Sequence, residues 1–474
     1  MKNICYLFYF LIIFYSCKDT KDSSDYTVLK GGTVFIGNGN SISDGIIIIK
    51  NGKIENIGNN KTSIPDNANI IDVTGKFITP GLIDSHVHFF QTGFFDSRPD
   101  ALDLRDSINY EKTQDYVKNN PERYYEAYLR SGVTGVYDVG GFSWSIELQN
   151  SAENNLYAPH IAASGILLTP ASKERVKSFN TANDSVLVHL ESAEHGKSVV
   201  RLNDSLGSTG IKIHQLYLND TTFMKNMVAV KEEIAKRGNK MIVHATTLEQ
   251  AKEALKLYAK VLVHSVEDKE IDEEFIKLAK AKSIIYCPTL IVSRGYYNAY
   301  RAINYDFNIH DPNNVVDAKT KNLLMTANRF SEIVPDVLKS DEFIENFYKR
   351  ITEAEKIMSI NLKKVYEAQI PIAVATDAGN PGTLHGISIY KEMEAMQEAG
   401  IPAKDIITMA TQNGAIAMER DDDIGTLEKG KLADLVILNK NPSVDISNMR
   451  SITHVMRGGF LHPVEKPFEE NMFE

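Results

Sequence analysis

Residues 240–264 read KMIVHATTLEQAKEALKLYAKVLVH. Met241-Ile242-Val243 and Val261-Leu262-Val263 are short apolar runs with the character of buried strands, and each ends on a histidine, His244 and His264. The amphipathic segment Thr247–Ala259 between them has room for one helix and a return. Strand, helix and parallel strand make a βα repeat, and in such a repeat the two histidines meet at one edge. Working outward, eight runs of this kind can be counted: Gly81 to Ser85, Gly132 to Val139, His160 to Ile166, Gly210 to His214, Lys240 to His244, Lys260 to His264, Ser283 to Thr289 and Pro371 to Asp377. Eight in succession predict an α/β chain, a (β/α)8 TIM-type barrel. The flanks differ. Thr27–Lys30, Thr33–Ile36 and Gly45–Ile49 at one end, and Ala433–Leu438 and Ile452–Met456 at the other, are strand-like with glycine turns between them. They predict a small β-sandwich domain assembled from both chain ends. The expected layout is an export signal and tether over 1–25, sandwich over 26–79, barrel over 80–423 and sandwich again over 424–474. The stretch of about 291–360, before the eighth run, is too long for one crossover and is expected to be an insertion over the barrel mouth.

The 474 residues carry a net charge of −10, with 43% hydrophobic and 24% charged positions, a globular composition that argues against a nucleic-acid surface. Lys2 precedes an apolar run, Cys5 to Tyr15, too short to span a bilayer and fitting an export signal. Ser16-Cys17 and the polar stretch after it resemble a lipoprotein signal, in which Cys17 is lipidated. That places the chain in the periplasm or cell envelope, with a lipid anchor as its one membrane contact. A plain secretory signal is the alternative. Cys287 is the only cysteine left after processing, so no disulfide framework forms.

The chemistry-bearing residues sit where those runs end. In Asp84-Ser85-His86-Val87-His88 two imidazoles two residues apart share a strand face and can address one metal. Asp377 closes the eighth run, where a carboxylate can bind metal or move a proton. Each alone is ordinary: paired histidines on a strand are often incidental, a strand-end histidine often bonds a loop, and aspartate often caps a helix. Together they are not, because a barrel packed for stability has no reason to gather them at one end. Lys212 lies inside an apolar run, where an unpaired ammonium is costly. It either points outward, binds a substrate carboxylate, or has become a carbamate able to bridge two cations. His214 shares its face and is a second candidate.

Thr79–His88, Ile211-Lys212-Ile213, Val243-His244-Ala245, Val263-His264-Ser265, Ala375–Gly379, Leu384-His385-Gly386, Ala410–Ala415 and Gly425–Val436 resemble the amidohydrolase superfamily, within it the imidazolonepropionase-like branch that includes Xaa-Pro and Xaa-Arg dipeptidases. The resemblance covers about residues 26–460. It implies that His86, His88 and Asp377 hold one divalent metal, zinc by preference, that His244 and His264 hold a second, and that carboxylated Lys212 bridges them. It also implies that Asp377 takes a proton from the attacking water and passes it to the leaving amine, with His385 near the substrate. The reaction implied is hydrolysis of a C–N bond in a dipeptide-like or other small amide substrate. A mononuclear cyclic-amide hydrolase is the alternative, and a surface binding protein without activity is a third. A homo-oligomer is compatible with all three. Phe89, Phe90, Phe94 and Phe95 either line an apolar pocket or pack a loop. Arg98 is a candidate anchor for a substrate carboxylate. His160 stands where the family pattern has arginine, which bears on substrate choice.

Overall fold

The computed structural model describes residues 25–468. Cys17 and the export signal lie outside them. Among the described residues no helix is long and apolar enough to cross a membrane.

The barrel strands are Leu82–Val87, Val133–Asp138, His160–Ala163 continued by Leu167–Thr169, Ile211–Ile213, Met241–His244, Val261–Val263 and Ile285–Cys287, all parallel. The eighth run completes the circuit through hydrogen bonds to both neighbours. Tyr286 N–H donates to the Pro371 carbonyl (2.8 Å) and Ala373 N–H to that of Tyr286 (3.0 Å). On the other side Ser85 N–H donates to Val374 (2.9 Å) and Asp377 N–H to His86 (2.7 Å). Alternation along each strand sorts the side chains. Ile242, Val261, Val263, Ala373 and Ala375 fill the interior. Met241, Val243 and Leu262 face the surrounding helices. Lys212 is in register with Ile242 and so belongs to the inner face.

Both chain ends build the second sheet. Phe77–Pro80 pairs antiparallel with Leu435–Leu438, Ile78 opposite Ile437. In Tyr26–Phe35 the turn at Gly31 (φ 95°) lets the first half pair with Asn69–Asp72 and the second with Phe77–Pro80. The far edge, Lys53–Gly58, bonds back to the segment leading into Leu435: Ile54 N–H donates to Lys431 O (2.9 Å) and Ala433 N–H to Gly52 O (2.8 Å). The sheet thereby wraps around Leu29, Ile47, Ile49, Ile78, Leu435 and Met456.

The segment after the seventh strand forms helices Val292–Arg301, Ala318–Met325 and Asp341–Glu367. Its first part has its own core, in which Tyr300, Phe330 and Ile344 pack on Phe94, Phe95 and Leu102 of the loop after the first strand. The last helix crosses from one core to the other, since Met358, Leu362 and Val365 pack on the barrel.

Candidate metal centre

The C-terminal ends of the strands converge. His86 Nε2 and His88 Nε2 lie 3.2 Å apart, and Asp377 Oδ1 lies 3.4 Å from the first and 3.1 Å from the second. Ligand atoms around a tetrahedral first-row metal stand about 3.4 Å apart when each bond is near 2.1 Å. The triangle therefore has the size of a metal's coordination face. Asp377 Oδ1, a corner of that triangle, is buried without a hydrogen-bond partner, an arrangement that is costly unless a cation faces it. From there the imidazoles continue as an arc: His86 to His264, 5.1 Å between ring centroids, His264 to His244, 4.3 Å, and His244 to His214, 5.1 Å. His86, His264 and Asp377 also form a cluster able to hold an ion.

Burial lowers the basicity of these rings, to about 3 at His264, about 4 at His214 and well below the ordinary value at His86 and His244. They keep lone pairs at neutral pH, as ligands must. Asp377 is held well below the usual carboxylate range: burial works against this, and the facing rings of His86, His88 and His264 outweigh it. Lys212, 2% exposed, is brought down to about 7 by burial. No carboxylate among the described residues pairs with its ammonium within 4 Å.

The backbone is bent to make this arc. Val261 and Val263 point inward, so strict alternation would turn His264 outward; its left-handed conformation (φ 75°) brings the ring back over the mouth. Asp377 (φ 59°), Thr289 (φ 47°) and Gln215 (φ 72°) are left-handed at neighbouring strand ends. Ile83 also points inward, and the register shift between Asp84 and Val87 resets the alternation before His86. Second contacts set the tautomers. His88 Nδ1–H donates to the Gly140 carbonyl (2.6 Å), and His264 Nδ1–H to Thr289 Oγ1 (2.8 Å). Asp84, buried, accepts from Thr376 N–H (3.0 Å) and its hydroxyl (2.6 Å), fixing the turn before Asp377.

The arc floors a cavity of about 370 Å³ that also takes in Lys212, Arg98, Phe90 and Tyr296. The structure places three groups singled out in the sequence as follows. His385 is not on this cavity: Tyr128 donates to its Nδ1 (2.7 Å), its Nε2–H donates to the Gln91 carbonyl (2.9 Å), and it packs against Tyr124 and Phe89 beneath the loop. Of the four phenylalanines only Phe90 lines the cavity, while Phe94 and Phe95 pack under the inserted helices. His160 sits at the opposite end of the barrel, off the cavity, between Glu153 (2.9 Å) and Asp434 (2.8 Å). Arg98 does line the cavity, with both prongs on Asp100 (2.9 Å each) and another N–H on Asn380. Thr289, the Gly140 carbonyl and Asn380 escaped the sequence reading. Thr289, which closes the seventh run, and Asn380, three residues past Asp377, carried a positional hint.

The amidohydrolase family matches residues 77–461. Over 425 residues the chain is 24% identical to the imidazolonepropionase of Alkaliphilus metalliredigens, with 84% of each chain covered. A 70-residue stretch, 15% of this chain and 11% of the relative, is 49% identical to the adenine deaminase of Listeria monocytogenes. Among solved structures, a Xaa-Pro dipeptidase with bound methionine superposes with a TM-score of 0.69 at 24% identity, over 92% of this chain and 100% of that one. Ochratoxinase of A. niger does so at 0.67 and 20%, over 93% and 96%. The family match spans the barrel and every strand-end ligand, the buried rings and carboxylate fit a divalent metal, and the chain belongs to the amidohydrolase family, as a metal-dependent hydrolase of carbon–nitrogen bonds.

Proposed function

We propose that the chain is a dipeptidase-like amidohydrolase holding two divalent metals, zinc by preference, bridged by carboxylated Lys212. The observation that carries this reading is Lys212 itself: a buried amine on the inner face, without a carboxylate partner among the described residues, lining the same cavity as the arc of imidazoles. Its free amine would add to the carbon of CO2 and lose one proton, giving an anionic carbamate where the arc has only neutral donors besides Asp377.

His86, His88 and Asp377 would hold one metal, and His244 and His264 the other. When bound, such metals supply the Lewis acidity that ionises water near neutral pH and polarises an amide carbonyl. The chain's own residues do the rest. Asp377 takes the proton of the attacking water and returns it to the departing amine nitrogen, so no free amide anion leaves. Gly140 and Thr289 keep the rings of His88 and His264 aimed at the mouth. The inserted segment, through Tyr296, narrows access of bulk water.

Metal counting tests the reading. Protein loaded with zinc in bicarbonate should carry close to two metals per chain and hydrolyse members of a panel of dipeptides, N-acyl amino acids and cyclic amides. Lys212→Ala should fall to about one. A count near one that ignores bicarbonate would favour the alternative, a mononuclear cyclic-amide hydrolase with Lys212 a plain amine. The likeness to an imidazolonepropionase supports that second reading. The proposal also places the chain outside the cytoplasm, tethered at Cys17. Labelled palmitate should enter the wild-type chain and not Cys17→Ala.

A further inference from the structure

The wall of the cavity opposite Lys212 is built by an excursion between the third and fourth barrel strands. Leu167–Thr169 prolongs the third strand, and Leu187–His189 pairs with it in parallel, Leu187 opposite Leu167. Alternation puts both leucines on the cavity, which Leu168 and Val188 do not line. Val176, from the short helix Lys173–Val176, together with Phe179 and Val186, completes the surface. Phe90 joins it to the metal centre, with its ring 5.7 Å from that of His88. At the other end the Arg98 guanidinium stands 5.8 Å from the Phe179 ring.

This wall is rigid. Asn180 clamps it: its side-chain carbonyl accepts from Val186 N–H (2.9 Å) and Leu187 N–H (3.1 Å), and its amide donates to Leu187 O (2.9 Å). Tyr110 donates to the Phe179 carbonyl (2.6 Å). Two guanidiniums border the wall: Arg98, forked onto Asp100, and Arg175, on the short helix beside Val176. Against these six side chains, each 1–8% exposed, a charged or strongly hydrated group would shed water and find no partner among them, whereas an apolar group would meet only apolar neighbours.

We propose that the substrate carries a large uncharged apolar side chain, of leucine, methionine or phenylalanine type, lodged against Leu167, Val176, Phe179, Val186, Leu187 and Phe90. This deepens the hydrolase reading and rests on it for the word substrate, but the subsite can be tested without turnover. Zinc-loaded protein is titrated by calorimetry with N-acetyl-phenylalanine, N-acetyl-leucine, N-acetyl-lysine and N-acetyl-glutamate. In parallel a dipeptide matrix of the same residues plus glycine is assayed for kcat/KM. The apolar ligands should bind at least about tenfold more tightly than the charged ones. Apolar dipeptides should lead charged and glycine dipeptides by a similar factor at one of the two positions. Ala171→Phe adds bulk at the edge of the cavity without touching the clamp, and should weaken phenylalanine ligands while sparing alanine-sized ones. Equal or stronger binding of the charged ligands overturns the subsite, whatever the assay gives. A dipeptide matrix with no turnover at all, alongside apolar-selective binding, overturns the dipeptidase-like reading and leaves the subsite standing.

Discussion

Both ring nitrogens of His385 are occupied by Tyr128 and Gln91, which leaves it neither proton nor lone pair for a substrate. Glutamine can make the same two bonds, accepting from Tyr128 and donating to Gln91. His385→Gln should therefore keep kcat/KM within about tenfold of wild type, where loss of a general acid or base costs 10²–10⁴-fold. The substitution should also change acid sensitivity. Burial lowers His385 from 6.5 to about 3 in the fold. Between those values the unfolded chain takes up a proton that the folded chain refuses, so stability drops as pH falls through that window. Urea unfolding of metal-free protein at pH 7 and pH 4 should show a smaller drop for His385→Gln than for wild type. Thr289 is the opposite case, a residue of unremarkable type with a specific task. Its hydroxyl accepts from His264 Nδ1–H. Thr289→Ala should weaken zinc binding about 10–100-fold in a chelator competition, and Thr289→Ser should restore it.

At the scale of elements, strand ends and helix ends use left-handed backbone for different purposes. Ser283 (φ 50°) ends the helix Glu273–Lys282, where its N–H donates to Lys280 and a glycine would serve better. Ser283→Gly should raise stability by up to about 1 kcal/mol, read from the urea midpoint, because no ligand depends on that turn. The same relief at His264 or Asp377 would delete a candidate ligand, and strain of about 1–3 kcal/mol per residue persists there. This contrast separates what the sequence makes legible from what it does not. The apolar runs and the histidines that end them are local patterns, and the seven assigned strands and the bonded run 371–378 follow them closely. The sign of φ at His264, the carbonyl of Gly140 and the carboxylate of Glu392 are not local. Glu392 reaches from the helix Ser388–Glu398 to accept from Leu290 N–H (2.9 Å) and Ile291 N–H (3.2 Å), steadying the turn after Thr289. Such contacts join residues about a hundred positions apart, and no periodicity encodes them. For the same reason the four phenylalanines could not be sorted from sequence: Phe94 and Phe95 are covered by the inserted helices and Phe89 by Tyr124, Tyr125 and Tyr128.

At the scale of the molecule, the barrel has a working end and a joining end. The ligands occupy the first, and His160 belongs to the second, where it links the barrel to the sheet formed by both chain ends. Its ring spans Glu153 and Asp434, with Arg457 3.1 Å and Arg420 3.5 Å from Nδ1. Asp434 in turn accepts from Gly458 N–H (2.6 Å), at the turn between the last two strands. Truncation to alanine would leave two carboxylates and two guanidiniums around a hole, and removing one member of such a buried network costs about 3–5 kcal/mol. His160→Ala should therefore lower the unfolding free energy, read from urea titrations, by that amount, while zinc content and the order of preferred substrates stay as in wild type. His160→Arg restores the residue of the family pattern and should be no better. It would force a third guanidinium between Arg457 and Arg420, in a site packed to fit an imidazole. If His160→Arg instead matched wild type in stability and changed substrate order, the joining end would have to communicate with the mouth. That would contradict the separation of roles that the geometry describes.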